Sequence, residues 1–173
     1  MKPKTTDFVV NGWKLFSHPA FESQYEALAE EVEVLKEKFP DTFQKKKATK
    51  LLAAIEKVIL KEICADPTAA KFRQGDTLGT ENKHWFRAKF LGQYRLFFRF
   101  SEQHKTIILA WVNDETTLRA YDSKHDAYKV FSSMLASGYP PGDWDELFAQ
   151  CSGSQHVIAA IASPEVTESV TKG

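Results

Sequence analysis

The apolar residues of this chain change period once, and that change decides what it can fold into. Up to residue 63 they recur at helical spacing. Phe21, Tyr25, Leu28, Val32, Leu35 and Phe39 follow one another at steps of four and three, which puts them on one helical face. Pro19 suits the first turn of that helix and Pro40 stops it. Asp41 or Thr42 can cap a second helix, lined by Ala48, Leu51, Leu52, Ile55, Val58, Ile59 and Ile63 and ended by Ala65-Asp66-Pro67. So short a joint predicts an antiparallel helical hairpin, preceded by a short strand over residues 9–17.

After Gly79 the pattern is that of a sheet. Trp85–Leu91, Tyr94–Phe100 and Thr106–Val112 are aromatic and β-branched, with turn signals at Gly92-Gln93 and Ser101-Glu102-Gln103. Three consecutive antiparallel strands are predicted. Residues 123–137 return to helical spacing through Ala127, Val130, Phe131 and Met134, with Gly138 as the stop. Pro140-Pro141-Gly142-Asp143 breaks the chain before a last short helix over 144–150. The order β-α-α-β-β-β-α predicts an α+β domain over residues 1–151. Residues 152–173 read as a flexible tail, with one weak helical segment over Val157–Ala162.

Composition removes several function classes. At 173 residues and 43% apolar, one domain can bury its own core. The longest strongly apolar run, Ile107–Val112, is far short of the roughly 20 residues of a membrane helix, and Met1–Asp7 has no apolar signal core. Cys64 and Cys151 lie far apart without a spacing motif, so a reduced, cytoplasmic protein is expected. There is no G-x-S-x-G, phosphate-binding loop or dinucleotide fingerprint, and Gly75–Gly79 precedes a strand rather than a helix. Neither a metal nor another cofactor is expected.

Lys+Arg and Asp+Glu both number 23, so any attraction to an anionic partner must come from a local patch. Residues 71–100 hold seven basic residues against two acidic. Alternation sets Tyr94, Leu96, Phe98 and Phe100 on one face of their strand, and Arg95, Phe97 and Arg99 on the other. On the preceding strand Phe86, Ala88 and Phe90 oppose Trp85, Arg87 and Lys89. A two-residue turn at Gly92-Gln93 would set Arg95 among core aromatics. A three-residue loop, Leu91–Gln93, or a bulge, pairs Lys89 with Arg95 and gathers Arg87, Lys89, Arg95 and Arg99 on one solvated face with Trp85 and Phe97. The second register is favoured. Such a face either is an ordinary solvated surface, or binds phosphates through its cations and stacks unpaired bases on its aromatics. Lys45, Lys46, Lys47 and Lys50, which oppose the dipole at a helix start, are either a frayed, solvated turn or a partner surface.

The segments Val10-Asn11-Gly12-Trp13, Ala48-Thr49-Lys50-Leu51-Leu52, Tyr94-Arg95-Leu96-Phe97-Phe98-Arg99, Trp111-Val112-Asn113-Asp114-Glu115, Thr117-Leu118-Arg119 and Asp126-Ala127-Tyr128 together resemble the YhaV toxin family, a branch of the RelE-like superfamily of bacterial type II toxins. The resemblance covers about residues 9–149. It implies a RelE-like fold, with the sheet packed on the helical hairpin, and an endoribonuclease that halts growth by cutting mRNA on the ribosome. It also implies neutralisation by a PrlF-type antitoxin of AbrB-like fold, with the complex acting on operator DNA. Carried over by the family pattern, Arg87, Lys89 and Arg95 are the basic strand residues, Arg119 follows the last strand, and Tyr128 stands on the following helix.

The chemistry implied needs no metal. A ribose 2′-OH attacks the adjacent phosphate once a base takes its proton, leaving a cyclic or 3′-phosphate and a 5′-OH. Arg95 and Arg119 stay charged and suit a phosphate clamp. Lys89 or Tyr128 is the candidate base, although reference values for both residue types lie near about 10. Arg87, Arg99, Lys45, Lys46, Lys47 and Trp85 are candidate RNA contacts. His84 with His125 is the competing acid–base pair, and Asp114 or Glu115 is placed to orient Arg119. Arg95, on a solvated face, is expected to be replaceable without loss of fold. The rival readings are a non-catalytic RNA-binding module and a module that only binds an antitoxin.

Overall fold

Asn11 and Gly12 both take positive φ, 52° and 85°, and this turn folds the first expected strand into a hairpin. In the computed structural model, which describes residues 7–151 and 155–162, that hairpin consists of β1 (Phe8–Val10) and β2 (Trp13–Ser17). The single strand expected over 9–17 is thus corrected; the Asn-Gly pair was its signal. Then come α1 (Pro19–Lys38), α2 (Lys47–Lys57), β3 (Phe86–Phe90), β4 (Tyr94–Ser101), β5 (Thr106–Val112), α3 (Ala127–Ser137), α4 (Trp144–Gln150) and α5 (His156–Ala162). The sheet order is β1-β2-β5-β4-β3. β2 pairs β5 in parallel and the other pairs are antiparallel. The architecture is α+β, consistent with the RelE-like fold expected.

α1 starts at Pro19 behind His18, whose Nδ1 accepts from the Ala20 backbone N–H at 3.0 Å while Nε2 bonds Gln150 Oε1 at 2.6 Å. Burial pushes the His18 pKa down, in keeping with a neutral ring that accepts on one side and donates on the other. α2 continues into a wider i→i+5 turn, Val58–Ile63, which keeps Val58, Ile59 and Ile63 buried. Gly138, at φ 88°, closes α3 as expected.

The sheet is covered on both faces. Against one face α1 and α2 pack Phe21, Tyr25, Leu51, Ile55 and Ile59 onto Leu15, Leu96, Phe98, Ile107 and Leu109. Against the other, Phe131 of α3 and Leu147 of α4 meet Phe16, Trp85, Phe97, Ile108 and Trp111. Phe97 and Phe131 stack with centroids 4.2 Å apart. A bulge in the β4–β5 ladder pairs Phe97 with Trp111 but Phe98 with Leu109. The extra residue lets Ile108 and Trp111 serve the same core.

Two expectations are corrected here. The charged face of β3 and β4 is largely roofed by α3, so it is not a solvated face. The segment expected as tail contributes α5, whose Val157, Ile158 and Ile161 are buried in the first core, so the packed chain runs past 151. Residues 152–154 and 163–173 of the expected tail lie outside the described residues.

Candidate active site

The β3–β4 hairpin turns through Leu91-Gly92-Gln93, with Leu91 at φ 46° and Gly92 at φ 77°. Phe90 pairs with Tyr94, Lys89 with Arg95 and Arg87 with Phe97. This is the three-residue loop expected. Its odd length sends Ala88, Phe90, Leu96 and Phe98 into the first core and turns Arg87, Lys89 and Arg95 together to the opposite face.

α3 then descends on that face. Asp126 caps it, accepting from the backbone N–H of Tyr128 at 3.0 Å, and so fixes where Tyr128 enters. The Tyr128 hydroxyl accepts from Arg87 Nε at 2.8 Å and Arg95 Nε at 3.1 Å. Arg87 Nη1 also donates to the Lys71 carbonyl, and Arg95 Nη1 to the carbonyls of Gly92 and Tyr94, both at 2.9 Å. Both guanidinium groups are therefore held rigidly, and both residues are only 8% exposed. Arg95 is not the solvated, freely replaceable residue expected. Lys89, its register partner, is exposed.

Arg119 completes the cluster. Its guanidinium lies 4.7 Å from the Tyr128 ring centroid and 3.9 Å from that of Tyr121, and its Nη1 bonds Asp126 Oδ1 at 2.6 Å. Burial pushes the Asp126 carboxyl up. The Arg119 and Ala120 hydrogen bonds outweigh this and hold it below the usual carboxylate range. Asp126, not Asp114 or Glu115, is thus the carboxylate that orients Arg119. Asp114 instead ties its own turn, through Thr116 and Thr117, to Gln24.

Asn113 is the second residue that sequence reasoning missed. Its Oδ1 accepts from the Arg95 backbone N–H at 2.8 Å, and its Nδ2 donates to the carbonyls of Gln93 and Thr117. Gln93 in turn exchanges hydrogen bonds with the backbone of Arg119. The loop after β5 is thereby bolted to the hairpin, which brings Arg119 to Tyr128. A capping Asp two residues before Tyr128 was a readable signal; Asn113 stands in one of the family-like segments, but nothing local in sequence gives it this role.

The other candidates fall elsewhere. Arg99 sits between Trp85 and Trp144, at 5.1 and 5.5 Å, and bonds the Gly142 carbonyl. Burial pushes its pKa down to about 10. Trp85 is fully buried beside Phe131, so it is corrected from a base-stacking surface to a core residue. Lys45, Lys46 and Lys47 lie at the start of the second helix of the hairpin, where Lys46 rests 4.1 Å over the Phe39 ring. The arginine cluster lies on the opposite face of the sheet. His84 keeps company with Trp85, Arg99 and Gly142, whereas the exposed His125 lies in the turn before α3. The structure does not bring these two together as an acid–base pair. A cavity of about 450 Å³ lined by Phe16, Trp144, Phe148 and Thr106 opens at the far end of β5 and contains none of the clustered arginines.

Three guanidinium groups around one phenol, with one carboxylate and a neighbouring exposed lysine, gather fixed donors and positive charge of the kind that binding an anion requires. A family profile described as a toxin with endonuclease activity, of a toxin–antitoxin system, matches residues 15–152. The ribonuclease toxin YhaV of Escherichia coli strain K12 is 56% identical over 140 residues, covering 80% of this chain and 91% of that protein. The toxin YhaV of Escherichia coli O6:H1 matches to the same extent. No solved structure matches the chain at a significant level.

Proposed function

We propose, from the premise that the chain belongs to the YhaV family of toxin–antitoxin endonucleases, that it cuts mRNA on the ribosome by 2′-OH attack without a metal. Its placement as a ribonuclease toxin follows from the family. The finer chemistry rests on one observation: the Tyr128 oxygen held between Arg87 and Arg95.

A phenol oxygen has one proton to donate and two lone pairs to accept with. Both acceptor positions of Tyr128 are taken by charged donors, so its own hydrogen is left to donate. In this reading Tyr128 is the acid and Lys89 the base. Lys89 takes the 2′-OH proton as the 2′-oxygen bonds phosphorus. The P–O5′ bond breaks, and the leaving oxygen takes the Tyr128 proton. A 2′,3′-cyclic phosphate and a 5′-OH result. The phenolate left behind meets two guanidinium groups already in hydrogen-bonding position, at no cost in reorganisation. In this reading Arg119, with about one-sixth of its side chain exposed, meets the equatorial phosphate oxygens.

Only the free amine of a lysine can take that proton, and at its reference value near about 10 little of a lysine is free amine at neutral pH; this favours a substrate oriented by the ribosome over free RNA. The fixed positive charge supplies what a metal would otherwise supply. The partners in this reading are mRNA, the ribosome and a PrlF-type antitoxin of AbrB-like fold that carries the complex to operator DNA, all in the cytoplasm.

Mapping of 5′ ends after incubation with translating ribosomes tests this directly. Cuts bearing 5′-OH are expected, lost in Tyr128→Phe and Lys89→Ala. RNA bound but uncut would instead identify a non-catalytic RNA-binding module. Antitoxin binding with no effect on RNA would identify a module that only binds antitoxin.

A further inference from the structure

A groove of about 150 Å³ lies behind the arginine cluster, on the other face of the sheet, between α1, α2 and the ends of β4 and β5. Leu28, Leu51 and Ile55 form its apolar wall. Its rim carries Glu31, Asp114 and Glu115 against a single cation, Lys47. Tyr94 lines it too. That residue is 6% exposed, and its hydroxyl is buried with no hydrogen-bond partner among the described residues. An unmet buried hydroxyl is unusual and costly. Its electrostatic neighbours are Glu115 and Asp114.

We infer that this groove receives a lysine or arginine side chain of the antitoxin; the inference rests on the toxin reading above. Such a side chain has an apolar stem for the Leu28, Leu51 and Ile55 wall. Its cationic head carries N–H donors for the Tyr94 oxygen and a positive charge for the acidic rim. RNA is the wrong occupant, because a rim of net negative charge repels phosphates. The position also has a consequence. The groove wall includes Asn113, whose side chain ties Arg95 to the loop that carries Arg119. An antitoxin seated here grips the back of the catalytic hairpin without covering its arginines.

The test uses the full chain and the antitoxin encoded beside it. Binding is measured by calorimetry at low and high salt, for the wild type, for Glu31→Lys with Glu115→Lys, and for Tyr94→Phe. RNA cleavage by each toxin alone is measured in parallel. Charge reversal is expected to weaken antitoxin binding about tenfold or more, with a flatter salt dependence. Tyr94→Phe is expected to weaken it by about three- to tenfold. Cleavage by the free toxins should stay at the wild-type rate, since none of the altered side-chain atoms touches the arginine cluster: Tyr94 meets Arg95 only through its backbone carbonyl, which Tyr94→Phe keeps. Wild-type affinity in the charge-reversed toxin, with cleavage intact, overturns the groove assignment and leaves the toxin reading standing. If charge reversal instead lowers ribosome binding and spares antitoxin binding, the occupant is a ribosomal protein and the antitoxin assignment is overturned. A wild-type chain that neither cuts RNA nor binds the antitoxin overturns both.

Discussion

Tyr128 is where the geometry concentrates, because one oxygen fixes two arginines. Tyr128→Phe keeps the ring packed against Phe97 but strands both Nε donors. Cleavage should fall on the order of 10²–10³-fold, with a stability loss of about 1–3 kcal/mol read in urea melts. A variant as active as the wild type would remove Tyr128 from the chemistry. Arg95→Ala differs from what the sequence suggested. It strips partners from Tyr128 and from the Gly92 and Tyr94 carbonyls, so it should destabilise as well as inactivate. Lys89→Ala is the cleaner probe, because an exposed lysine can go at a cost within about 0.5 kcal/mol. If Lys89 is the base, Lys89→Ala loses cleavage and Lys89→Arg, which keeps the charge but not an amine that can take a proton, fails to restore it; wild-type cleavage by Lys89→Arg would exclude the role. Asp126 provides a stability test of opposite direction. Its folded pKa lies below the unfolded value, so its contribution is present above about pH 3.9 and disappears as pH falls through the folded value. Asp126→Asn should lower stability at neutral pH and flatten that acid limb in a melt series.

The hairpin loop sets the parity on which the site depends. Leu91-Gly92-Gln93 allows Lys89 and Arg95 to face the same way while Phe90 and Tyr94 stack at 5.7 Å on the other side. Deleting Gly92 leaves a two-residue turn and moves one strand by one position against the other, which turns every side chain on that strand over. Activity should vanish together with cooperative unfolding, since charged residues would be forced into the helical-hairpin core; a folded, active deletion variant would refute the parity argument. Gly92→Ala isolates the turn. No atom lies within 4 Å of the added methyl group, so only the positive φ costs energy, about 1–2 kcal/mol, with the register kept and cleavage little changed at permissive temperature. This parity was legible in sequence, because the aromatics of both strands demand one face. The Asn11-Gly12 turn is short enough to sit inside what reads as one continuous strand, and the β4–β5 bulge leaves no pattern in β5, which is apolar at nearly every position.

At the scale of the whole molecule, the sheet is a two-sided element between two helical layers, and the last helix belongs to one of them. α5 buries Val157, Ile158 and Ile161 against β1, β2 and α1. At about 1.5–3 kcal/mol for each fully buried side chain, a chain ended at 151 should lose several kcal/mol of stability, or fail to accumulate as folded protein; an unchanged melting temperature would show α5 to be dispensable. The same architecture explains the division between what was readable and what was not. The sequence by itself determined the helical hairpin, the three strands, the stops at Gly138 and Pro40, and the pairing of Lys89 with Arg95, because hydrophobic period and turn chemistry are local. Only the tertiary structure decided that α3 roofs the charged face, that Trp85 is core rather than contact surface, that Asp126 holds Arg119, and that Asn113 bolts the loop to the hairpin. Alternation along a strand defines two faces but does not say what covers each. A buried guanidinium is tolerable only where acceptors meet its hydrogen bonds. Arg95 finds two carbonyls nearby in its own hairpin, but the Tyr128 phenol that Arg87 and Arg95 share comes from a distant helix and reaches them only once the chain has folded.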